Sequence, residues 1–188
     1  MKRYSKKSRA FGLIEVLVAC GLLVMVSAAT TVLGVMSLHS SVISKHRTEA
    51  YMLAQDVVEQ VKGSREWTYQ NWSESGSQAY TWNSFWATST FGFQNIRTDI
   101  NTNYQYVCIN HSGGGRGAVV TTSASPCATG TLQFTRLLSD KTDVSELLGF
   151  TANSGKAYKI IATVSWNDYG QTQSVQVSSY LTDYKARN

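Results

Sequence analysis

The chain opens with a long apolar segment that carries a single charge. Between Phe11 and Leu38, 28 residues contain one charged side chain, Glu15. As a helix rising 1.5 Å per residue, such a segment spans about 42 Å, more than the roughly 30 Å of a hydrocarbon core. The pattern therefore predicts a membrane-spanning helix over residues 11–38.

The helical pattern continues beyond Leu38 with a narrower apolar face. Apolar positions recur at spacings of seven, four, three and four, which place them on one side of a helix. No Pro and no Gly interrupts residues 39–62, so we predict one helix from about Gly12 to Lys62 with Gly63 as its C-cap. Residues 39–63 would be its amphipathic continuation. The predicted stripe consists of Ile43, Ala50, Ala54, Val57 and Val61.

Residues 64–188 change to a two-residue alternation that predicts β-strands and one globular head. The clearest signal is an antiparallel hairpin in which Tyr158–Trp166 and Ser174–Thr182 flank a turn at Asn167–Gly170. Earlier strands are predicted at Tyr104–Ile109, Ala118–Thr122 and Leu132–Leu137. The inward faces of the hairpin would carry Tyr158, Ile160, Ala162, Val164 and Trp166 on one strand, and Val175, Val177 and Leu181 on the other. The expected fold class is α+β, with a long N-terminal helical spine packed against an antiparallel sheet.

The net charge of +5 comes from one end of the chain. Five of the 17 basic residues lie within residues 1–10, and all 12 acidic residues follow them. The remainder of the chain is therefore electrically balanced, which gives no indication of specific nucleic-acid binding. A basic leader before an apolar helix predicts a cytoplasmic leader and an exported head.

Placing the Glu15 carboxylate in a membrane-spanning segment costs free energy. Insertion scales put an acidic side chain at a bilayer centre at roughly 2.5–3.5 kcal/mol, and less near the interface. A carboxylate in a membrane segment is a functional hypothesis that requires a partner. A cleaved secretory signal peptide is the plainer alternative, but its apolar region is usually about 7–15 residues long.

The run from Ala10 to Ala19, with the basic leader, resembles the class III signal of type IV pilins and type II secretion pseudopilins. The resemblance implies that a prepilin peptidase cuts between Ala10 and Phe11, that Phe11 is then N-methylated, and that Glu15 is the family's hallmark carboxylate. It also implies that Glu15 pairs with the new α-amino group of Phe11 in a neighbouring subunit and so sets the register of assembly. Ala10 and Gly12 depart from the family's usual Gly and Thr or Ser. The end of the helix and the terminal hairpin also resemble minor pilins.

From this resemblance we expect a structural subunit of a type IV pilus-like filament, more specifically a minor pilin, and not an enzyme. It would need no cofactor. Its partners would be other pilin subunits, the prepilin peptidase, an inner-membrane assembly platform and the membrane itself. The precursor would cross the cytoplasmic membrane once, with its head outside, before joining a surface pilus or a periplasmic pseudopilus. The alternatives are a type II secretion pseudopilin, a competence pilin, and a single-span anchored enzyme, adhesin or binding protein whose Glu15 is incidental.

The three cysteines differ by location. Cys20 lies in the apolar segment, where we interpret it as a small filler. Cys108 and Cys127 flank a Gly-rich loop in the exported head, where a disulfide persists. Closing roughly 20 residues stabilises a fold by about 3 kcal/mol in the chain-entropy model, so we predict a Cys108–Cys127 bond.

Residues 67–93 contain nine aromatic side chains and few aliphatic ones. Two interpretations remain open: the rings pack the head or contact neighbouring subunits, or they form a ligand surface suited to sugars. The nine are Trp67, Tyr69, Trp72, Tyr80, Trp82, Phe85, Trp86, Phe91 and Phe93.

Three weaker signals favour ordinary structure. Asp99–Asn103 begins like a calcium loop but lacks its later Gly and Glu, which favours an Asx-rich turn. Gly113–Gly117 lacks the Lys-Ser/Thr of a phosphate loop and favours a flexible loop. His39 and His46 share a helix without a third ligand, so we expect solvated or interface side chains and no metal.

Overall fold

The computed structural model describes residues 12–74, 82–87, 92–110, 119–123, 125–127, 131–151 and 154–183. The chain divides into two compact units, Met1–Lys45 and His46–Asn188. Helix α1, Leu13–Glu74, runs through both. Within the second unit, part of α1 packs against an antiparallel sheet, which confirms the expected α+β class.

The predicted C-cap at Gly63 is wrong. Helix α1 continues eleven residues beyond Gly63 to Glu74, and Gly63 does not adopt the positive φ of a C-cap glycine. The residues after Gly63 are compatible with a helix, and Thr68 is 3% exposed, with its hydroxyl donating to the carbonyl of Ser64 at 2.8 Å. A glycine inside a helix costs only about 1 kcal/mol relative to alanine, so it is a weak stop signal.

Two short helices, α2 at Trp82–Ala87 and α3 at Phe93–Thr98, lie on the chain between α1 and the first strand. Helix α3 continues directly into a π-helical turn, Asp99–Asn103, so the predicted Asx-rich turn there is wrong. The Nδ2 of Asn103 does bond to Oδ1 of Asp99 at 3.0 Å, but the bond lies inside a helical turn.

The strands follow the predicted positions closely. They are β1 (Tyr106–Asn110), β2 (Val119–Ser123), β3 (Leu132–Leu138), β4 (Thr142–Asp143), β5 (Ala157–Asp168) and β6 (Gln171–Thr182). The sheet runs β2-β1-β3-β5, and β6 covers the other edge of β5 along its full length. Strand β4 pairs with Lys159 and Tyr158 beyond the end of β3, so the two short strands share one edge of β5. A 3₁₀ turn, Glu146–Leu148, follows β4.

The core lies between the C-terminal half of α1 and one face of the sheet. Four of the five residues of the predicted helix stripe are 0–1% exposed, and Ile43 is the exception. Phe134 and Trp166 face each other across β3 and β5, with ring centroids 5.8 Å apart. The inward residues of β5 and β6 are those that the alternation predicts, because successive side chains of a strand point to opposite faces and only one face packs towards the helix.

Candidate functional site

Helix α1 begins at Leu13, and Glu15 lies in its first turn with its amide 2.9 Å from the carbonyl of Gly12. The Glu15 side chain is exposed. Within the described residues, its carboxylate has neither a hydrogen bond nor an ion pair. A carboxylate at a helix N-terminus interacts favourably with the helix dipole, by about 0.3–1 kcal/mol. Ala10 and Phe11, the predicted cleavage and methylation positions, lie outside the described residues.

The described part of the first unit, from Gly12 onwards, has no core of its own. Every described residue from Gly12 to Val42 is exposed, and the large apolar ones leave roughly half or more of their surface uncovered as far as Leu38. A helix that is apolar on all sides requires lipid or other helices around it. Its length and hydropathy are sufficient for a membrane span.

Three hydroxyl groups of this segment are satisfied within the helix. The Ser27 hydroxyl donates to the carbonyl of Leu23 at 2.8 Å, and Thr30 and Thr31 both donate to the carbonyl of Ser27 at 2.9 Å. An unsatisfied hydroxyl is costly in hydrocarbon, and these bonds remove that cost. Glu15 is the charged side chain of this segment, and it still requires an external partner.

In the head, an acid–base pair joins α1 to the end of β5. The Nδ1 of His46 lies 3.1 Å from Oδ2 and 3.2 Å from Oδ1 of Asp168, and the two side chains are 12% and 9% exposed. Because a carboxylate only accepts, the contact requires the proton on Nδ1. The indole of Trp166 adds a donor to Oδ2 at 3.3 Å. Of the two alternatives expected for these histidines, solvated or interface, His46 therefore lies in the contact between α1 and β5, whereas His39 is exposed.

A second polar tether uses Arg136, which is 4% exposed on the inward face of β3. Its Nε and Nη2 donate to the carbonyl of Tyr104 at 3.3 and 2.9 Å, and Nη1 lies 3.6 Å from Oδ2 of Asp56 on α1. Burial lowers the pKa of Arg136, and the charge of Asp56 opposes that effect. The pair holds β3, the π-helical turn and α1 together.

Arg136 also lines a cleft of about 360 Å³ between α1 and the π-helical turn. Its rim carries charged side chains of both signs. The other lining residues are Asp56, Gln60, Ile96, Asp99, Ile100 and Tyr104.

The aromatic segment packs inward where the structure describes it. Trp82, Phe85, Trp86 and Phe93 are between 0 and 7% exposed. The Trp86 ring centroid lies 4.7–4.9 Å from those of Phe85, Phe93 and Tyr158. For these four rings the packing interpretation is confirmed, and they form no ligand surface. Trp67 is 50% exposed on α1, and the side chains of Tyr69, Trp72, Tyr80 and Phe91 lie outside the described part.

A cation closes this aromatic cluster. The Nζ of Lys141 lies 4.5 Å from the Tyr158 ring centroid and 5.3 Å from that of Trp86. Burial lowers the pKa of Lys141, while the neighbouring Asp140 and Asp143 raise it. Burial also raises the pKa of Tyr158. Cation–π contacts of this kind contribute about 0.5–2 kcal/mol.

Asp143 caps the loop between β4 and β5. Its Oδ1 accepts from the hydroxyl and the amide of Ser145 at 2.6 and 2.9 Å, and its Oδ2 accepts from the amide of Gly155 at 3.0 Å. The hydrogen bond from the Ser145 hydroxyl is the largest cause that lowers the pKa of Asp143, and the bonds from the two amides lower it further. The network satisfies backbone groups that would otherwise be buried without partners.

The predicted disulfide is present. Cys108 and Cys127 are bonded with an S–S distance of 2.02 Å, across 19 residues of sequence. Cys20 is a free, exposed thiol in the first unit. No group of three potential metal ligands occurs among residues that the structure describes.

Sequence reasoning missed both polar tethers between α1 and the sheet, although one left a signal. Asp168 continues the inward-facing alternation of β5, so its carboxylate had to meet a partner from α1. Arg136 is likewise inward by alternation on β3, but the carbonyl and carboxylate that receive it come from distant parts of the chain.

Comparison with protein-family models, with curated proteins and with solved structures found no match to this chain. Its function must therefore be argued from its own residues.

Proposed function

We propose that this protein is a subunit of a type IV pilus-like filament, a minor pilin, that inserts in the cytoplasmic membrane and assembles through the N-terminal part of α1. The observation that carries the proposal is the exposed, apolar helix whose single carboxylate, Glu15, has no partner among the described residues. Both features are explained if identical or related helices pack around it. The resemblance of residues 10–19 to prepilin signals supports the same interpretation.

The cation for Glu15 would be the α-amino group that cleavage before Phe11 creates on a neighbouring subunit. Two unit charges about 4 Å apart at an effective dielectric of about 20 attract by about 4 kcal/mol. That attraction offsets the roughly 2.5–3.5 kcal/mol cost of a carboxylate at the membrane centre. A contact of this kind fixes the axial stagger between subunits, because neighbouring helices that slide past each other separate the charges.

Substitution of Glu15 tests the proposal. Glu15→Gln keeps the shape of the side chain and removes its charge. We expect the variant to reach the membrane at wild-type levels, but its amount in filaments sheared from the cells should fall at least tenfold. A tenfold fall corresponds to about 1.4 kcal/mol of assembly free energy. Ser27→Ala is the matched control in the same segment and should assemble normally. Normal incorporation of Glu15→Gln would contradict the proposal and favour a single-span anchored protein.

A further inference from the structure

The face of the sheet that points away from α1 contains a second cleft, next to the β5–β6 turn. It measures about 270 Å³ and lies across β3, β5 and the start of β6. Thr135 and Ser165 are paired on adjacent strands, as are Asn167 and Thr172. The lining residues are Gln133, Thr135, Ser165, Trp166, Asn167 and Thr172.

The chemistry of this neutral cleft is uniform. Apart from Trp166, every lining side chain is an uncharged amide or hydroxyl. Within the part of the chain that the structure describes, the side chains of Gln133, Thr135, Ser165 and Thr172 make no hydrogen bond. Asn167 accepts from the amide of Gly170 at 3.0 Å, which fixes the orientation of its carboxamide. Five amide and hydroxyl side chains thus converge with most of their donors and acceptors available to a ligand.

An exposed ring lies at the same end of the sheet. Tyr169 occupies the first position of the two-residue turn, with φ 50° followed by φ 81° at Gly170, and is 70% exposed. This left-handed position suits Asn, Asp or Gly and strains a Tyr. The exposed ring of Tyr169 is therefore held at the cleft's end of the sheet at a cost in backbone strain.

We propose that the neutral cleft is a binding site for an uncharged carbohydrate, and that the ring of Tyr169, at the same end of the sheet, adds to it. Sugar hydroxyls both donate and accept, so they can pair with the amides and hydroxyls of the cleft, and the apolar face of a sugar ring can stack on an aromatic side chain. A charged ligand would find no opposite charge in the lining. An apolar partner surface would leave the cleft's polar groups unsatisfied, at a cost for each.

The site can be tested with the full chain in lipid nanodiscs, because glycoside detergents would themselves compete. The probes are neutral oligosaccharides built from glucose, galactose or N-acetylglucosamine, with polygalacturonate as the charged comparison. We expect calorimetry to detect at least one neutral oligosaccharide with a Kd near or below about 1 mM, and with little dependence on salt. Absence of neutral binding at about 10 mM ligand, or equal binding of the polyanion, would overturn the proposal.

Two sets of variants localise the binding. Thr135→Val with Ser165→Ala removes two outward hydroxyls and should weaken binding at least tenfold, whereas Thr163→Val with Ser178→Ala, on the same face outside the cleft, should change it less than about twofold. Tyr169→Asn suits the turn, so a loss of affinity with an unchanged or raised melting temperature would assign the ring to the site. Full affinity in Tyr169→Asn would remove the ring from the site, and full affinity in the cleft variant would overturn the proposal. A loss of self-association in the cleft variant, without any glycan binding, would instead identify an interface between copies.

Discussion

The two units of this chain solve the problem of apolar surface in opposite ways. In residues 12–42, apolar side chains are exposed on all sides of the helix. The hydroxyl groups of Ser27 and Thr31 donate hydrogen bonds to backbone carbonyls of the same helix. In the second unit, the same helix buries Ala54, Val57 and Val61 almost completely against a sheet. One continuous helix can therefore serve as an anchor at one end and as a core element at the other. The difference teaches that its N-terminal half depends on its surroundings, whereas its C-terminal half is stabilised by the chain's own head.

Removal of the disulfide should have the largest effect on the head. Cys108→Ser with Cys127→Ser opens a closed segment of 19 residues and should cost about 3 kcal/mol of unfolding free energy. Chemical denaturation in nanodiscs, followed by tryptophan fluorescence, measures it. Cys20→Ser is the control from the other unit, where the thiol is free, and should leave the denaturation midpoint unchanged. If both variants lowered the free energy of unfolding equally, the contrast between the two units would be contradicted.

A matched pair of valines isolates the two environments within one helix. Val57 is 1% exposed and Val26 is 63% exposed, so the same change to Ala removes core contacts only at Val57. We expect Val57→Ala to lower the free energy of unfolding of the head by about 2 kcal/mol, and Val26→Ala by less than about 0.5 kcal/mol. If Val26→Ala destabilised the head as much, the first unit would not be independent of it.

Asp143→Asn should give a smaller effect that depends on pH. The folded state lowers the pKa of Asp143, so its stabilisation is present above the unfolded value near 3.9 and is lost as pH falls through the lower folded value. At pH 7 the variant keeps one oxygen that can accept from Ser145, but it loses the charge and the acceptor for the amide of Gly155, which should cost about 1–2 kcal/mol, or about 2–8 °C in melting temperature. The difference from the wild type should narrow below about pH 4. Glu146→Gln, an exposed neighbour, is the control, and a gap that stayed constant with pH would contradict this account.

Much of this architecture can be predicted from the sequence because it depends on local periodicity. The helix stripe and the alternation of β5 and β6 predicted the core and the hairpin, and the two head cysteines predicted their bond. The extension of α1 past Gly63 was not predicted, because a glycine is only a weak stop signal and the burial of a residue such as Thr68 cannot be read from local sequence.

The remaining features depend on contacts between distant residues. His46 and Asp168 are 122 positions apart, and no local pattern pairs them. The neutral cleft likewise needs three strands in register before its hydroxyls converge. For the assembly segment, the sequence motif predicts a processed terminus at Phe11, while the proposed partner of Glu15 would belong to another chain and so lie beyond a single-chain pattern.

The central claim is that Glu15 meets an amine that exists only after the leader is removed. The most direct test is the intact mass and N-terminal sequence of this protein recovered from assembled filaments. We predict a chain that begins at Phe11, carries an N-methyl group and lacks residues 1–10. Recovery of the full chain from filaments, with Met1 still at its start, would contradict the account.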